Sequence, residues 1–409
     1  MTSCRICDNK LLIINNFGEM PIANAFQKKV NNSQFTFKLQ TGFCNKCFMF
    51  QLIDQPPPEK MFHKDYAFST RSSMFMIKHF QNVAKMIKTN FISDPDDSVL
   101  EIGCNDGVML EQIQKYGIKN IGVEPSNNVA EKSREIGLKI INDFFSEELA
   151  HNIKNDSGHF KVIYASNVIC HLPDLNDLCK AIVKILKKDG IFIFEEPYLA
   201  SIIKKNSFDQ IYDEHVFFYC ILSLNKLFEK YNLEIFDSEE IWTHGGSMRY
   251  FVSFKGKYSQ TQRFRNSLDK EIKLKLDCEE TYLNFNKNCE KIKFNINKTL
   301  ADLKNKKNEI VGYGATSKST TLINYCDIAK YIDFISDTSH SKINKFTPLS
   351  NIPIKDYSSF KESNHAFTIL FAWNHMKEIF KKETEYFDNG GNWIVYVPEV
   401  KIISKEAIK

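Results

Sequence analysis

No stretch of this chain approaches the eighteen or so consecutive apolar residues that a membrane-spanning helix needs. The N-terminus, M-T-S-C-R-I-C-D-N-K-L-L-I-I, holds a four-residue apolar run and nothing resembling a cleavage region. These two absences predict a soluble, cytoplasmic protein with no membrane partner. An excess of one charge is missing as well: 54 Lys and Arg stand against 50 Asp and Glu, a net charge of +4. With no basic stretch beside its cysteines either, the chain is not expected to bind nucleic acid. What is present is length, since 409 residues, 43% of them hydrophobic, exceed one typical core and predict two or three domains. The eleven cysteines are odd in number and include two close pairs, which favours metal over disulfides in a reducing compartment.

The rest of the chain is organised around Ser98 to Leu110, S-V-L-E-I-G-C-N-D-G-V-M-L, a buried-strand pattern that breaks into a glycine-flanked turn and resumes as helix. Glu101 and Asp106 place carboxylates at that turn, the wrong sign for a phosphate. Glu124, ending the next strand-like run at Ile121 to Val123, can take both hydroxyls of a ribose. The spacing does not fit G-x-G-x-x-G but is similar to the E-x-G-x-x-x-G of S-adenosylmethionine (SAM) methyltransferases. Strand and helix patterns then alternate to Phe194, and Leu233 to Ile241 and Arg249 to Phe254 close the set, the rhythm of a doubly wound sheet. Ligands collect at the carboxyl ends of such strands. This nominates Glu101, Gly103, Asn105, Asp106, Gly107, Glu124, Asp143, Phe144 and Asn167 for SAM, with Glu195 and Glu196 at a further strand end.

Upstream, Cys4-x2-Cys7 and Cys44-x2-Cys47 flank a segment suited to a small hairpin. Four thiolates fit a tetrahedral, structural Zn2+ with no open position. So few apolar residues lie between them that metal is expected to replace a sizeable core. Pro56-Pro57-Pro58 marks a boundary, Tyr66 to Ser73 is a candidate lid, and Met76, Phe80, Val83 and Ile87 form a helical stripe. From Lys255 to about Asn308 the pattern predicts one long helix or a hairpin of two, packed on a neighbour, and a solvated connector rather than a functional surface. Then Glu309 to Lys318, E-I-V-G-Y-G-A-T-S-K, repeats strand, glycine turn and helix start, aiming backbone N–H groups and a lysine at an anion. Gly312, Gly314, Thr316 and Lys318 are candidates for a diphosphate, and Asp337 for a ribose or base edge.

The densest polar cluster is Phe208 to Tyr219, where His215 stands beside acids among aromatic residues, a setting that suits a base near neutral pH. His171 and His244 fall at other pocket-facing turns. Two cysteine pairs, Glu101-x-Gly103-x-Asn105-Asp106-Gly107, Tyr212-Asp213-Glu214-His215, His244-Gly245-Gly246-Ser247, Gly312-Tyr313-Gly314-Ala315 and Ala372-Trp373-Asn374 occur in that order. In this the whole chain resembles the sugar C-methyltransferases that act on nucleotide-linked 4-keto-deoxysugars. The resemblance implies an α/β architecture: a zinc-binding module (1–64), a class I, Rossmann-like SAM methyltransferase domain (65–255), a helical connector (256–308) and a second Rossmann-like domain for the sugar nucleotide (309–409). It implies that His215 is the base, that Tyr66, His171, Tyr212 and Glu214 surround the sugar, and that His244, Trp373 and Asn374 join the substrate site. Carbon becomes a nucleophile only after a proton beside a ketone is removed, so such an enzyme needs a base on one side and donors for the enolate oxygen on the other. Glu214 either orients His215 or binds a sugar hydroxyl. Ser319 and the run Thr347-Pro348-Leu349-Ser350 depart from the family pattern. O-methylation of a sugar or small metabolite, and a non-catalytic zinc-bearing scaffold, are the competing readings.

Overall fold

The computed structural model describes residues 2–61, 69–363 and 365–408. Strands β1 (Leu12–Pro21), β2 (Thr36–Phe43) and β3 (Phe50–Leu52) form an antiparallel sheet. The cysteine pairs lie before β1 and in the β2–β3 turn, where Asp8 and Phe48 take positive φ and close two tight knuckles. The expectation that metal replaces a core is overturned. Phe17, Met20, Phe37, Leu39, Phe43, Phe50 and Leu52 are buried in one hydrophobic cluster continuous with the rest of the molecule.

The second sheet contains β4 (Ser98–Ile102), β5 (Lys119–Val123), β6 (Ile140–Ile141), β7 (Phe160–Ser166) and β8 (Leu186–Pro197), all parallel. Next in the chain, β9 (Phe217–Phe218) leaves this sheet and pairs with β3, so the strand directly after His215 completes the zinc module. Strands β10 (Leu233–Ile241) and β11 (Ser247–Phe254) add an antiparallel edge, giving the order β10-β11-β8-β7-β4-β5-β6. The expected stripe is a helix, Met74–Phe91, burying Phe80, Val83, Ala84 and Ile87. Helices Glu147–Ser157, Leu199–Lys205 and Ile221–Glu229 were not anticipated.

Residues 255–308 form two helices, Gln262–Lys273 and Glu279–Asn305. They pack on their neighbours as expected, and do so as a spine between units rather than as a solvated connector. Tyr282 stacks on Phe43 with ring centroids 4.3 Å apart, Asn15 donates to Asn286 across 2.7 Å, and Tyr325 of the last unit donates to Glu290 across 2.6 Å. Phe285, Cys289, Ile292, Ile296 and Leu300 continue the buried face.

The last unit holds β12 (Ile310–Tyr313), β13 (Phe334–Asp337), β14 (Ile354–Asp356), β15 (Phe367–Leu370), β16 (Asn392–Val395) and β17 (Lys401–Ile403) in the order β14-β13-β12-β15-β16-β17, with β17 alone antiparallel. The loop after β1 clasps this unit: Gln27 pairs with Phe346 in a two-way backbone bridge, and Asn351 Oδ1 accepts the Asn31 N–H at 3.1 Å. The sequence run at Thr347 to Ser350 thus lies under that clasp. Among the described residues no helix is long and apolar enough to cross a membrane.

Candidate active site

The turn after β4 brings three carboxyl groups together. Gly103 and Gly107 adopt φ of 67° and 73°, and a Cβ on Gly103 would lie 2.3 Å from Val168 Cγ2. Glu124 accepts the N–H of Asn105 (2.9 Å) and of Ser126 (2.8 Å), one on each oxygen. Asp106 Oδ2 accepts from Ser69 Oγ (2.5 Å) and the Arg71 N–H (3.0 Å), and Asn105 Oδ1 accepts the Thr70 N–H (3.1 Å). The described part of the expected lid, Ser69 to Ser73, therefore sits on this turn. Tyr66 lies outside the described residues. Burial and the neighbouring Glu124 and Asp106 push the Glu101 carboxyl well up, and burial raises that of Glu124. Glu101 Oε2 and Asp106 Oδ1 are buried without a partner among the described residues. Buried acceptors left unpaired are costly, and a cationic ligand with N–H and O–H donors answers them, which fits SAM. Asp143 and Phe144 follow β6 and are exposed, and Asn167 turns at positive φ with its N–H on the Glu195 carbonyl (2.8 Å).

From that turn the segment Val168 to His171 leads to the histidines. Val168 packs on Gly103, Glu196 Oε1 holds the N–H groups of Val168 (3.0 Å) and Ile169 (2.7 Å), and the His171 ring stacks on that of His215, centroids 5.5 Å apart and 15° from parallel. His215 Nδ1 is 2.9 Å from the Gln210 carbonyl, which can only accept, so Nδ1 carries the proton and Nε2 is the basic nitrogen. Nε2 in turn accepts from the Tyr212 hydroxyl at 2.8 Å. Gln210, rather than Glu214, therefore orients the ring. Glu214 turns instead to Asn24 Nδ2, 2.8 Å away. Burial, reinforced by His171, holds the His215 pKa well below its ordinary value, and burial lowers that of His171 to about 4. Donor atoms of Cys170, His171 and His215 lie within 4.8 Å of one another, but stacked rings do not converge their lone pairs and both His215 nitrogens are engaged, so the trio does not fit a metal.

The last unit supplies the third wall. Lys318 is pulled down by burial and sustained by Asp209; its charge also acts on His215 and His244. Asp209 Oδ2 accepts the Trp373 indole N–H (2.6 Å) and the Tyr396 hydroxyl (2.7 Å), latching this unit to the central one. Trp373 also packs under Gly245, where a Cβ would stand 2.4 Å from the ring. His244, at φ 54°, is lowered to about 3 by burial first and Lys318 second. Asn374 is half-buried beside Trp373.

Three N–H groups of the expected cradle are spent inside the protein. The N–H of Gly314 goes to the Ser336 carbonyl (2.8 Å), that of Ala315 to Asp337 Oδ2 (2.7 Å) and that of Thr316 to Ser319 Oγ (3.0 Å). Gly312 is needed for packing, since a Cβ there would lie 2.6 Å from Phe371, and Thr316 caps the helix Ser317–Cys326. Asp337, whose second oxygen takes the Ser339 N–H (2.7 Å), holds the turn closed. Residues that sequence reasoning missed are His79, bound to Glu195 at 2.7 Å, Arg249, which grips the same Glu195, and Asn24. His79 could have been found by its place on the stripe-bearing helix, whereas Asn24 sits in an unremarkable P-I-A-N-A-F run with no charge to flag it.

At the other end of the module, Cys4 and Cys47 Sγ are 3.5 Å apart, Cys7 and Cys44 Sγ 3.6 Å, and all four lie within 4.8 Å. Tetrahedral Zn–S bonds of about 2.3 Å require sulfur separations of about 3.8 Å, so the four cysteines fit a closed, structural zinc site.

Family models cover this architecture in sequence: a "Putative zinc binding domain" over residues 4–62, a "Methyltransferase domain" over 70–238 and a "C-methyltransferase C-terminal domain" over 242–398. Fold, acidic turn and these three matches define the class, a SAM-dependent C-methyltransferase with a structural zinc module. Along its whole length the chain is similar to the C-methyltransferase NovU of Streptomyces niveus, 29% identical over 413 aligned residues that cover 99% of this chain and 97% of that one. A ubiquinone biosynthesis O-methyltransferase of Yersinia enterocolitica is 24% identical over 103 residues, 24% of this chain and 42% of the relative. A solved SAM-dependent methyltransferase from Anabaena variabilis aligns at 15% identity over 42% of this chain and 84% of its own, with a TM-score of 0.35.

Proposed function

We propose that the chain methylates the carbon beside the ketone, C3, of a nucleotide-linked 4-keto-deoxysugar through an enolate. The observation that carries this reading is buried His215, its Nδ1 proton held by the Gln210 carbonyl and its basic Nε2 facing the Tyr212 hydroxyl, with the ring stacked on His171. SAM, when bound at the acidic turn, supplies an activated methyl group. Burial keeps His215 unprotonated, and when the ketone oxygen draws the Tyr212 O–H away from Nε2, that lone pair takes the proton from the carbon next to the ketone. The Tyr212 O–H, now on the ketone oxygen, donates to the oxyanion as its charge develops. His171, neutral for the same reason as His215, backs the His215 ring through their stack. Lys318, kept charged by Asp209, meets the diphosphate as a point charge, with the backbone turn serving as scaffold. Glu214 accepts from a sugar hydroxyl.

The test is exchange in deuterated water. A ketosugar nucleotide should lose the proton beside its carbonyl in the presence of the enzyme without SAM, and His215→Gln should slow that exchange by about 10²- to 10⁴-fold while SAM binding stays as in the parent. Exchange at the parental rate removes the base assignment. Product analysis separates the O-methyl reading, because a methyl on carbon survives ether cleavage and a methoxyl does not.

A further inference from the structure

The zinc module reaches the reaction cleft through two adjacent residues of the loop after β1. The Ala23 N–H donates to Asp213 Oδ1 at 2.8 Å, and the Ala23 carbonyl accepts from Thr320 Oγ at 2.9 Å. Asn24 repeats the arrangement with its side chain: Nδ2 donates to Glu214 Oε1 at 2.8 Å and Oδ1 accepts from Ser317 Oγ at 3.0 Å. Thr321 Oγ closes the figure by donating to the Ile211 carbonyl at 3.1 Å. Three parts of the molecule, the module, the segment before His215 and the helix that carries Lys318, thus meet at one amide.

An amide is suited to this place because it has one donating and one accepting end and no charge. Asp213 and Glu214 are consecutive buried carboxyl groups. Burial raises both, that of Glu214 to about 7, and Asn24 is the neighbour that pulls Glu214 back toward the ionised form. The Asp213 contact comes from backbone and persists whatever side chain stands at residue 23. The Glu214 contact, by contrast, is made by the Asn24 side chain. The Cys170 thiol also feels the Glu214 charge.

We infer that Asn24 is a positioning residue for methyl transfer: its amide bridges Glu214 to Ser317 and so sets where the Glu214 carboxyl stands in the cleft. The inference rests on the reading of the Tyr212 to His215 segment given above. It makes the N-terminal module a contributor to the reaction in addition to a holder of metal.

The test is a double-mutant cycle on kcat/KM for the ketosugar nucleotide, with bound zinc and SAM affinity measured on every variant. Asn24→Ala in the parent should lower kcat/KM about 10- to 100-fold, the loss expected for one hydrogen bond to a charged group. In a Glu214→Ala background the same substitution should cost less than about 3-fold, because Asn24 then has nothing to position. Asn24→Asp, which keeps the acceptor for Ser317 but turns a carboxylate toward Glu214, should be at least as impaired as Asn24→Ala. Equal losses in both backgrounds, a fully active Asn24→Asp, or loss of zinc or SAM affinity in Asn24→Ala overturns the inference while leaving the site reading intact. Parental activity in Glu214→Ala overturns the site reading itself.

Discussion

The turn after β4 and the turn after β12 are built alike, a parallel strand running into a glycine turn and then a helix, yet they offer a ligand opposite things. At the first, Glu101, Asp106 and Glu124 crowd together with two carboxyl oxygens unpartnered among the described residues. At the second, the N–H groups of Gly314, Ala315 and Thr316 are consumed inside the protein, and the positive charge comes from Lys318, whose charged form the nearby Asp209 favours, and from Lys342, bonded to the Ala315 carbonyl at 2.7 Å. Glycine spacing thus reports only where the backbone bends. Which side chains claim the freed N–H groups decides what the bend can hold.

The most damaging way to probe the pair is Gly103→Ala. A positive φ and a Cβ 2.3 Å from Val168 together cost about 3 kcal/mol, so SAM affinity by calorimetry should fall about 100-fold, with zinc content unaltered. Unchanged affinity would mean that the first turn does not hold the cofactor. Lys318→Met comes next. It should raise KM for the sugar nucleotide about 10- to 100-fold, the worth of a charge-assisted contact, and leave SAM binding within about twofold of the parent. A loss of SAM affinity instead would erase the division of labour between the turns. Asp337→Asn is the mildest. The amide keeps one oxygen for one of the two N–H partners and sets an NH2 against the other, so the second turn should lose about 1–2 kcal/mol of stability in urea unfolding with little change in KM. A rise in KM matching that of Lys318→Met would return Asp337 to the ribose or base-edge contact expected from sequence.

Much of this was legible before any coordinates. The strand–turn–helix at Ser98 to Leu110, the four cysteines, the alternation of the central sheet and the paired helices beyond Lys255 all follow from local periodicity and spacing, which one element carries by itself. What escaped was non-local. Nothing around Phe50 to Leu52 announces that its partner is Phe217–Phe218, so the module read as metal-dependent and self-contained when its core is shared. Asp337 looks the same in sequence whether it caps a turn or meets a sugar. Glu214 beside His215 suggested a pair, but the carbonyl of Gln210, invisible to side-chain reasoning, takes the imidazole.

The late arrival of β9 also bears on how the chain is made. Strand β3 is paired with β2 along one edge only until Phe217 and Phe218 have left the ribosome. An unpaired edge of buried Phe50, Gln51 and Leu52 invites association with other nascent chains. Early capture of zinc by Cys4, Cys7, Cys44 and Cys47 would hold the hairpin in register through that wait, giving the ion a part in biogenesis before any substrate is met.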